Sequence, residues 1–542
     1  MKKLFFIGII ILAAFLRLWQ LGVVPVSPDW DEAALGYNAY SILKTGKDEY
    51  GIFLPRTLRS FDDYKPPLYT YLAIPSVAAF GLTTWATRLP SAVMGILAVI
   101  GTYYLVSLLV KKKDDTLALL TSFFLAISPW HLQFSRIAFE ANTGVTLNIW
   151  GLVAFFRGLT SLPWMVFAAF LFGISLYAYH SERIFVPLLL LVVSVLWRKE
   201  LFSDKKKIAI SIMVGLLTVL PLIPVLLDKT SVTRLKGTST LSDTTGLLMR
   251  SVKKLEDDIR AGDRIGVIME NRRIVYARTL LDGYISHFSL RWLFLTGDND
   301  RHHAPDNGLL YFFELPFLFI GLYTIWKKGG KLATLVVSWI LLAPLAASPT
   351  SETPHAIRTL VVLPILQLCI AVGFYGSVVF GISLFKKTRG VSRFVMGAGG
   401  VVAVTAIAAN LLFYFHMYYV HMNLEYSPFW QYGYKQAVEY AEANKHKYDK
   451  IVVSTKLEQP HMFFLFYTKY DPAAYLAAGG TASGGFKEVR NRFDKYEFRP
   501  IPNWANEKHD GSVLYIGSPK EIPGSPMVIS YLDGPDAIRI SE

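Results

Sequence analysis

The stretch that decides the fold is KKLFFIGIIILAAFLRLWQLGVVPVSPDWDEAALGYNAYSILKTG, residues 2–46. Its apolar run, residues 4–21, is long enough to cross a lipid bilayer. An acidic pair, Asp31 and Glu32, follows where such a span should release the chain into water. The start could be a secretory signal peptide, but no small-residue cleavage site precedes the acidic stretch, so we interpret it as a retained span.

The composition indicates that most of the chain, and not only its start, belongs to a membrane protein. Of 542 residues, 53% are hydrophobic and only 18% are charged, and the mean hydropathy is +0.36, which is too apolar for an ordinary soluble protein. The net charge of +14 would suit a nucleic-acid partner in a soluble protein. Here we assign it to lysines and arginines in cytoplasmic loops and expect no nucleic acid. The single cysteine, Cys369, rules out an intramolecular disulfide.

Apolar runs alternate with basic clusters in a way that predicts a topology. The chain is predicted to be a polytopic α-helical membrane protein of about eleven spans, with a cytoplasmic N-terminus and every second short loop basic. The predicted spans are 4–21, 88–110, 116–130, 141–156, 164–180, 184–197, 208–227, 309–326, 332–347, 359–384 and 394–417.

The segment 66–82 is apolar, but counting it as a span would place the later basic loops outside. We therefore expect a helix along the outer surface, or a re-entrant segment. The chemistry then falls in four outer regions, residues 22–87, 131–140, 228–308 and 348–358. We divide the chain into a membrane domain, 1–420, and an extracytoplasmic domain, 421–542. In the latter, YGYKQAVEYAEANKHKYDKIVVST predicts an amphipathic helix followed by a strand, and hence a small α/β domain.

Carboxylates, cations and aromatic side chains gather at the outer boundary. Each could be an ordinary solvated charge, a snorkelling anchor, a helix ion pair or part of an interfacial aromatic belt. Their coincidence on one face instead suits a substrate with an anionic headgroup and a lipid tail. The candidate residues are Asp31, Glu32, Asp62, Asp63, Lys65, Arg88, Arg136, Glu140, Tyr177, Tyr179, His180, Arg183, Arg301, His302, His303, His355 and Arg358.

Several of these residues lie in motifs that occur together and in a fixed order. The segments are DEAALGYNAYSILKTG, DYKPPLYTYL, ATRLPSAVMG, SRIAFEANTG, YAYHSERIFVPLL, HFSLRWLFLTGDNDRHH, NGLLYFFELPFLFIGLY and PHAIRTLVVLP. In these motifs and in their order, the chain resembles the type C glycosyltransferases. The resemblance is to the branch of bacterial protein O-mannosyltransferase-like and lipid A aminoarabinose transferase-like enzymes. The resemblance covers about residues 4–370, and the Asp-Glu pair combined with the Lys-Pro-Pro-Leu segment is its most specific part.

The resemblance implies an enzyme that takes a sugar, a hexosyl or pentosyl group, from a polyprenyl-phosphate carrier in the bilayer. It implies that Asp31 is the catalytic base, that Glu140 occupies the second acidic motif, and that Lys65 and Arg88 meet the carrier phosphate. We assign Glu32 to orientation of the loop or the acceptor. Arg136 and Arg183 are further candidates for the phosphate. The aromatic, histidine and remaining arginine candidates are assigned to substrate binding.

The expected chemistry follows from the groups involved. An acceptor hydroxyl is a weak nucleophile, so a carboxylate must take its proton, and fixed cations must stabilise the departing phosphate. Such an attack inverts the anomeric carbon. The acceptor is a hydroxyl of a protein, lipid or glycan, at the outer face of the cell membrane. A lipid-linked glycan transporter or flippase, a surface binding or scaffold protein, and a ligase moving a whole lipid-linked glycan are the alternatives.

The cofactor is left undecided by the sequence. Some aminoarabinose transferases carry a Glu directly before the Lys-Pro-Pro segment that helps to hold a metal, and here that position is Tyr64. A divalent ion, if one is used, is expected near Asp62, Asp63 and either His302 or His303, because mixed carboxylate and imidazole ligands suit zinc or manganese.

Overall fold

The computed structural model describes residues 2–61, 63–110, 115–228, 239–242, 244–482 and 491–542. Each predicted span coincides with helical structure. These helices are α1 (Lys2–Leu18), α4 (Thr84–Val110), α5 (Thr116–Ile127), α7 (Ala141–Gly158), α8 (Leu162–Ser175), α9 (Glu182–Leu196), α11 (Lys205–Val219) with α12 (Ile223–Leu227), α16 (Glu314–Lys328), α17 (Gly330–Leu342), α18 (Ile365–Lys387) and α19 (Val391–His416).

Within the part of the chain that the structure describes, four helical segments are both long and apolar enough to cross a membrane, namely Thr84–Val110, Lys205–Leu227, Ile365–Lys387 and Val391–Glu425. The other helices at predicted spans are shorter or less apolar along their length. Glycines allow some of them to pack closely. At Gly321 in α16, an added Cβ would lie 1.8 Å from the Cys369 carbonyl oxygen in α18, so only glycine fits this crossing. The fold is that of a polytopic helical membrane protein, as the sequence predicts.

Other helices connect and flank the membrane bundle. They are α2 (Trp30–Thr45), α3 (Leu68–Phe80), α6 (Pro129–Phe134), α10 (Arg198–Leu201), α13 (Thr245–Ala261), α14 (Arg264–Met269), α15 (Arg272–Ser286), α20 (Met422–Glu425), α21 (Tyr434–Asn444), α22 (Pro460–Thr468) and α23 (Pro472–Ala477). The helix α3 occupies the ambiguous segment 66–82. Its 13 residues reach only about 20 Å, short of the roughly 30 Å bilayer core.

Two sheets complete the fold. A hairpin of β1 (Leu58–Ser60) and β2 (Asp63–Lys65) precedes α3. The six-stranded sheet near the C-terminus has the order β4-β5-β3-β6-β8-β7, with β3 parallel to both β5 and β6. Its strands are β3 (Lys450–Ser454), β4 (Arg492–Phe493), β5 (Tyr496–Arg499), β6 (Val513–Gly517), β7 (Met527–Ser530) and β8 (Asp536–Ser541). The predicted helix and strand of this region are α21 and β3.

The C-terminal unit is packed against the first connecting segment. Its apolar core includes Ala33 and Tyr37 of α2 together with Phe463 and Phe466 of α22. A buried polar contact reinforces the junction, because Thr481 Oγ1 donates to a Glu49 carboxylate oxygen at 2.6 Å. This packing fixes α2, which carries the acidic pair, between the membrane bundle and the sheet. The proposed division after residue 420 falls within helical structure that continues to Glu425.

Candidate active site

The first turn of α2 separates the two neighbouring acids. Asp29 is the N-cap, and its side chain accepts a hydrogen bond from the Glu32 backbone N–H at 2.8 Å, while the Glu32 carboxylate accepts from the Asp29 N–H at 3.3 Å. This reciprocal capping box fixes the start of the helix. Because successive helix positions are about 100° apart, Asp31 and Glu32 point in different directions.

Glu32 points into the protein, where it pairs with Arg88. Both side chains are completely buried, and the Arg88 Nε and Nη2 atoms lie 2.8 and 2.7 Å from the two Glu32 carboxylate oxygens. The remaining Arg88 donors reach the carbonyl oxygens of Leu21, Pro25 and Ser27.

A guanidinium has five N–H donors, and five contacts to protein acceptors are made here. The structure therefore argues against Arg88 as a ligand of the carrier phosphate. Glu32 also accepts from the Ala138 N–H at 2.7 Å, so both of its carboxylate oxygens contact protein donors.

Asp31 points the other way and pairs with Lys65 at the end of the β1–β2 hairpin. Its side chain is 28% exposed and that of Lys65 is 11% exposed. Burial by itself would lower the pKa of Lys65, but the charges of Asp31, Glu140 and Asp63 outweigh it and raise that pKa above its ordinary value. Lys65 is therefore a fixed cation at neutral pH.

Asp31 and Lys65 lie in the wall of a polar cavity of about 220 Å³, which we call the acid–lysine cavity. Its wall brings together residues from regions far apart in the chain, and it contains many of the predicted site residues. The lining residues are Asp31, Asp63, Lys65, Pro66, Phe139, Glu140, Tyr179, Asn299, Arg301, His302, Glu352, His355, Ile357 and Arg358.

The two arginines in the cavity wall, Arg301 and Arg358, use some of their N–H donors in contacts with the protein. Arg301 Nη1 lies 2.8 Å from a carboxylate oxygen of Asp29, and its guanidinium stacks over the Trp30 ring at 4.6 Å. Arg358 Nη1 donates to the Thr350 hydroxyl at 2.5 Å and to a backbone carbonyl. Both cations therefore face the cavity in defined positions, as an anionic substrate requires.

Besides Glu32 and Arg88, five of the described site candidates are not among the residues that line this cavity. Arg136 is buried, and its Nη1 and Nη2 donate to the carbonyl oxygens of Leu16 and Val24 at 2.7 and 3.1 Å, which joins it to the end of α1. The other four residues contact groups that are not part of the cavity lining. Tyr177 donates to the Thr218 carbonyl, and His303 contacts the Ala304 carbonyl. His180 contacts the Tyr64 carbonyl, and it also contacts Arg183, the last residue of the set.

A second cluster adjoins the cavity. Potential ligand atoms of Asp298, His302 and His355 all lie within 4.8 Å of one another. The Asp298 Oδ1 and His355 Nδ1 atoms are buried without a hydrogen-bond partner in the described part of the chain. The other Asp298 oxygen lies 3.0 Å from His302 Nδ1. Burial acts to raise the pKa of Asp298, but the two imidazoles and a backbone N–H hold it below its ordinary value.

These atoms suit a divalent ion in number and chemistry. The predicted metal residues are only partly involved. Asp62 lies outside the described residues, Asp63 lines the cavity, and His303 contacts the Ala304 carbonyl and the Tyr426 ring instead. Among the described residues, Asp298 is the carboxylate of the cluster.

A second cavity, of about 490 Å³ and lined mostly by polar residues, shares Asn299, Glu352 and His355 with the acid–lysine cavity. An apolar cleft of about 440 Å³ between α8, α9 and α11 extends to Leu176. The carbonyl of the following residue, Tyr177, accepts a hydrogen bond from the Leu68 N–H at 3.3 Å. Leu68 is three residues after Lys65, so this bond links the end of the cleft to the segment that carries Lys65.

Sequence reasoning missed Asp29, Asn299 and Glu352. A signal for Asp29 was present, because Asp-x-x-Glu is a capping-box pattern, and an N-cap acid beside the site is a natural partner for a cation. Asn299 and Glu352 carry no comparable pattern and are recognised only by their place in the wall.

The comparisons with known proteins agree with this architecture. Residues 64–224 match the family described as dolichyl-phosphate-mannose-protein mannosyltransferase. No curated protein matches the chain as a whole.

Solved structures show the same fold at low sequence identity. The apo structure of ArnT from Cupriavidus metallidurans is 13% identical with a TM-score of 0.55, covering 99% of this chain and 97% of that one. ArnT bound to undecaprenyl phosphate is 12% identical with a TM-score of 0.52, covering 99% and 98%. The oligosaccharyltransferase AglB from Archaeoglobus fulgidus, in complex with an inhibitory peptide and a dolichol-phosphate, is 12% identical with a TM-score of 0.50, covering 95% and 70%.

Proposed function

We propose that this chain is a type C glycosyltransferase that transfers a sugar from a polyprenyl-phosphate donor to an acceptor hydroxyl at the outer membrane surface. The family match over residues 64–224 and the fold shared with ArnT support this proposal. The observation that carries the proposal is the Asp31–Lys65 pair, a carboxylate and a fixed cation side by side in the wall of a polar cavity. We assign the base to Asp31 and the main phosphate contact to Lys65.

The pair explains how binding of the donor prepares the base. Before binding, Lys65 holds the Asp31 carboxylate in an ion pair. A lipid phosphate that approaches Lys65 competes for the ammonium group, and the carboxylate is then partly released. The freed Asp31 accepts the proton of the attacking acceptor hydroxyl as the new glycosidic bond forms.

The leaving group receives its stabilisation from the same wall. As the bond between the sugar and the phosphate breaks, negative charge grows on the phosphate oxygen, and Lys65 already stands there as a cation. Arg301 and Arg358 supply further positive charge in the cavity. Glu140 and Tyr179 are assigned to the sugar hydroxyls, since a carboxylate and a phenol both accept hydrogen bonds.

The neighbouring spaces suggest where the two substrates approach. The apolar cleft between α8, α9 and α11 suits a polyprenyl tail, because its wall is almost wholly apolar. The adjoining polar cavity, which includes Ser286, Ser289, Thr296 and Asn299, suits an acceptor rich in hydroxyl or amide groups. Donor and acceptor would then meet at the acid–lysine cavity from different sides.

The Asp298, His302 and His355 cluster would hold a divalent ion if the enzyme uses one. Such an ion would supply positive charge beside the phosphate. The protein side chains would orient it and exclude water, and Asp31 would keep its role as base.

The direct test is a structure of the full-length protein with a polyprenyl phosphate, together with turnover of a lipid-linked sugar. We expect phosphate density within hydrogen-bonding distance of Lys65 Nζ. A lipid phosphate bound elsewhere, with Lys65 still paired to Asp31, would overturn the assignment of this pair.

A further inference from the structure

The last membrane helix runs past the bilayer boundary. α19 has 26 residues, which make about 39 Å at 1.5 Å each, whereas the bilayer core is about 30 Å thick. A π-helical turn, Met417–His421, and α20 continue it. Asn423 Nδ2 donates to the Val23 carbonyl at 2.9 Å, so this turn lies at the same end of the bundle as the first turn of α2.

The π-turn places two histidines together. In a regular α-helix, residues five apart point about 140° away from each other. The wider π-turn, whose hydrogen bonds join residues i and i+5, brings such residues onto one face, and π-turns are frequent at functional sites. Here the His416 and His421 rings have centroids 4.9 Å apart, and their Nε2 atoms are separated by 3.2 Å.

A carboxylate orients one of these rings. A Glu425 oxygen lies 2.8 Å from His421 Nδ1. As an acceptor, it keeps the proton of a neutral His421 on Nδ1 and leaves the lone pair on Nε2 facing His416. Histidines that bind metals almost always have such a partner on the second ring nitrogen.

From this geometry we propose that His416 and His421 bind a transition-metal ion of the zinc type at the membrane surface, with Glu425 positioning His421. Two imidazole nitrogens bound to one tetrahedral zinc ion at about 2.0–2.1 Å lie roughly 3.3–3.4 Å apart. The observed separation of 3.2 Å is close to this value. His416 needs only to carry its proton on Nδ1 to offer the second lone pair.

The chemistry of the pair selects the kind of ion. Imidazole nitrogens favour zinc, copper and nickel, whereas calcium and magnesium prefer oxygen ligands. Two protein ligands leave other coordination positions for water or an anion from the membrane surface. The site is separate from the Asp298, His302 and His355 cluster, with which it shares no residue.

The experiment titrates the full-length protein with Zn²⁺ alone, in nanodiscs of phosphatidylcholine, by calorimetry. His416→Asn and His421→Asn are compared with the wild type, and His446→Asn, a change at an exposed histidine of the C-terminal region, is the matched control. We expect each of the first two variants to lose one equivalent of bound zinc, while the control keeps it. Zinc bound by the Asp298 cluster is present in all four proteins and cancels in the comparison.

Glu425→Gln separates positioning from ligation. It should retain the equivalent but bind it about 10–100-fold more weakly. Size-exclusion profiles identical to the wild type show that the exposed substitutions leave folding intact. Unchanged zinc stoichiometry and affinity in both histidine variants would overturn the site, and unchanged affinity in Glu425→Gln would overturn the role of the carboxylate.

Discussion

The two ion pairs that start from neighbouring residues of α2 differ in almost every physical respect. Glu32–Arg88 is fully buried, and the arginine makes a contact to protein for each of its five donors. Asp31–Lys65 is partly exposed and lines a cavity. The first pair connects α2, α4 and the segment after α1 through buried contacts. The second pair is reachable from the cavity, as groups that react with a substrate must be.

The difference teaches that charge at a membrane boundary is not by itself evidence of substrate binding. A buried cation such as Arg88, whose five N–H donors all contact protein acceptors, has no donor left for a ligand. Access of the charged group to a cavity is the property that separates Lys65 from Arg88.

The largest effect is expected from removing the base. Asp31→Asn keeps the size of the side chain but cannot accept a proton at neutral pH, so sugar transfer should fall about 10²–10⁴-fold while donor binding persists. Turnover of a lipid-linked sugar, with binding measured in parallel, checks this. If a folded Asp31→Asn variant showed near-normal turnover and a folded Glu32→Gln variant were inactive, the catalytic base would be Glu32 and not Asp31.

The next effect is on stability and concerns the buried pair. Arg88→Ala leaves the Glu32 charge buried and unpaired, which should lower the free energy of unfolding by about 3–5 kcal/mol. Thermal unfolding in detergent measures it. Lys65→Ala is the matched control in the Asp31–Lys65 pair and should cost less than Arg88→Ala, because the Asp31 side chain left without its partner is 28% exposed to solvent.

A double variant sharpens this result. Glu32→Gln combined with Arg88→Met removes both charges, and it should be more stable than Arg88→Ala alone, because no unpaired charge remains. Equal stability of Arg88→Ala and the wild type would show that the two pairs do not differ as described.

The third effect is on the donor. Lys65→Ala should weaken binding of a polyprenyl-phosphate sugar by about 1.5–3 kcal/mol, roughly 10–150-fold, since one charged contact is lost. Lys65→Arg retains the charge and should recover part of the affinity. Donor binding by a folded Lys65→Ala at the wild-type level would remove the phosphate role of this residue.

The smallest effect is on the pH dependence of donor binding. The pKa of Lys65 is raised above its ordinary value, so the charged form, present below that pKa, persists across neutral pH. Titration of Lys65 should therefore change donor affinity by less than about twofold between pH 6 and pH 9.

A histidine at the same position provides the contrast. Lys65→His should bind the donor better at pH 5.5 than at pH 8, because an imidazole loses its charge as the pH rises through about 6.5. The same flat profile in Lys65→His and the wild type would mean that charge at this position does not contribute to binding.

Part of this protein could be predicted from the sequence with no other information. The membrane helices follow from long apolar runs, because transfer of the side chains into lipid depends mainly on composition over about twenty residues. The helix α21 and the strand β3 follow from local periodicity in the same way. The order of short motifs resembles the type C glycosyltransferases, and from that resemblance Asp31, Lys65 and Glu140 were predicted as site residues; the structure places all three in the wall of one cavity.

Only the tertiary structure decided which of those charges face the cavity. Glu32 and Arg88 are 56 residues apart, and Asp29 and Arg301 are 272 apart, so no local pattern reports either contact. The direction of each acid depends on where α2 begins, which the capping box sets, and on what packs around its first turn. Side-chain partners are fixed by burial and by the competition for hydrogen bonds among distant segments. For this reason the sequence could identify the charged boundary, but not the division of its charges between structure and chemistry.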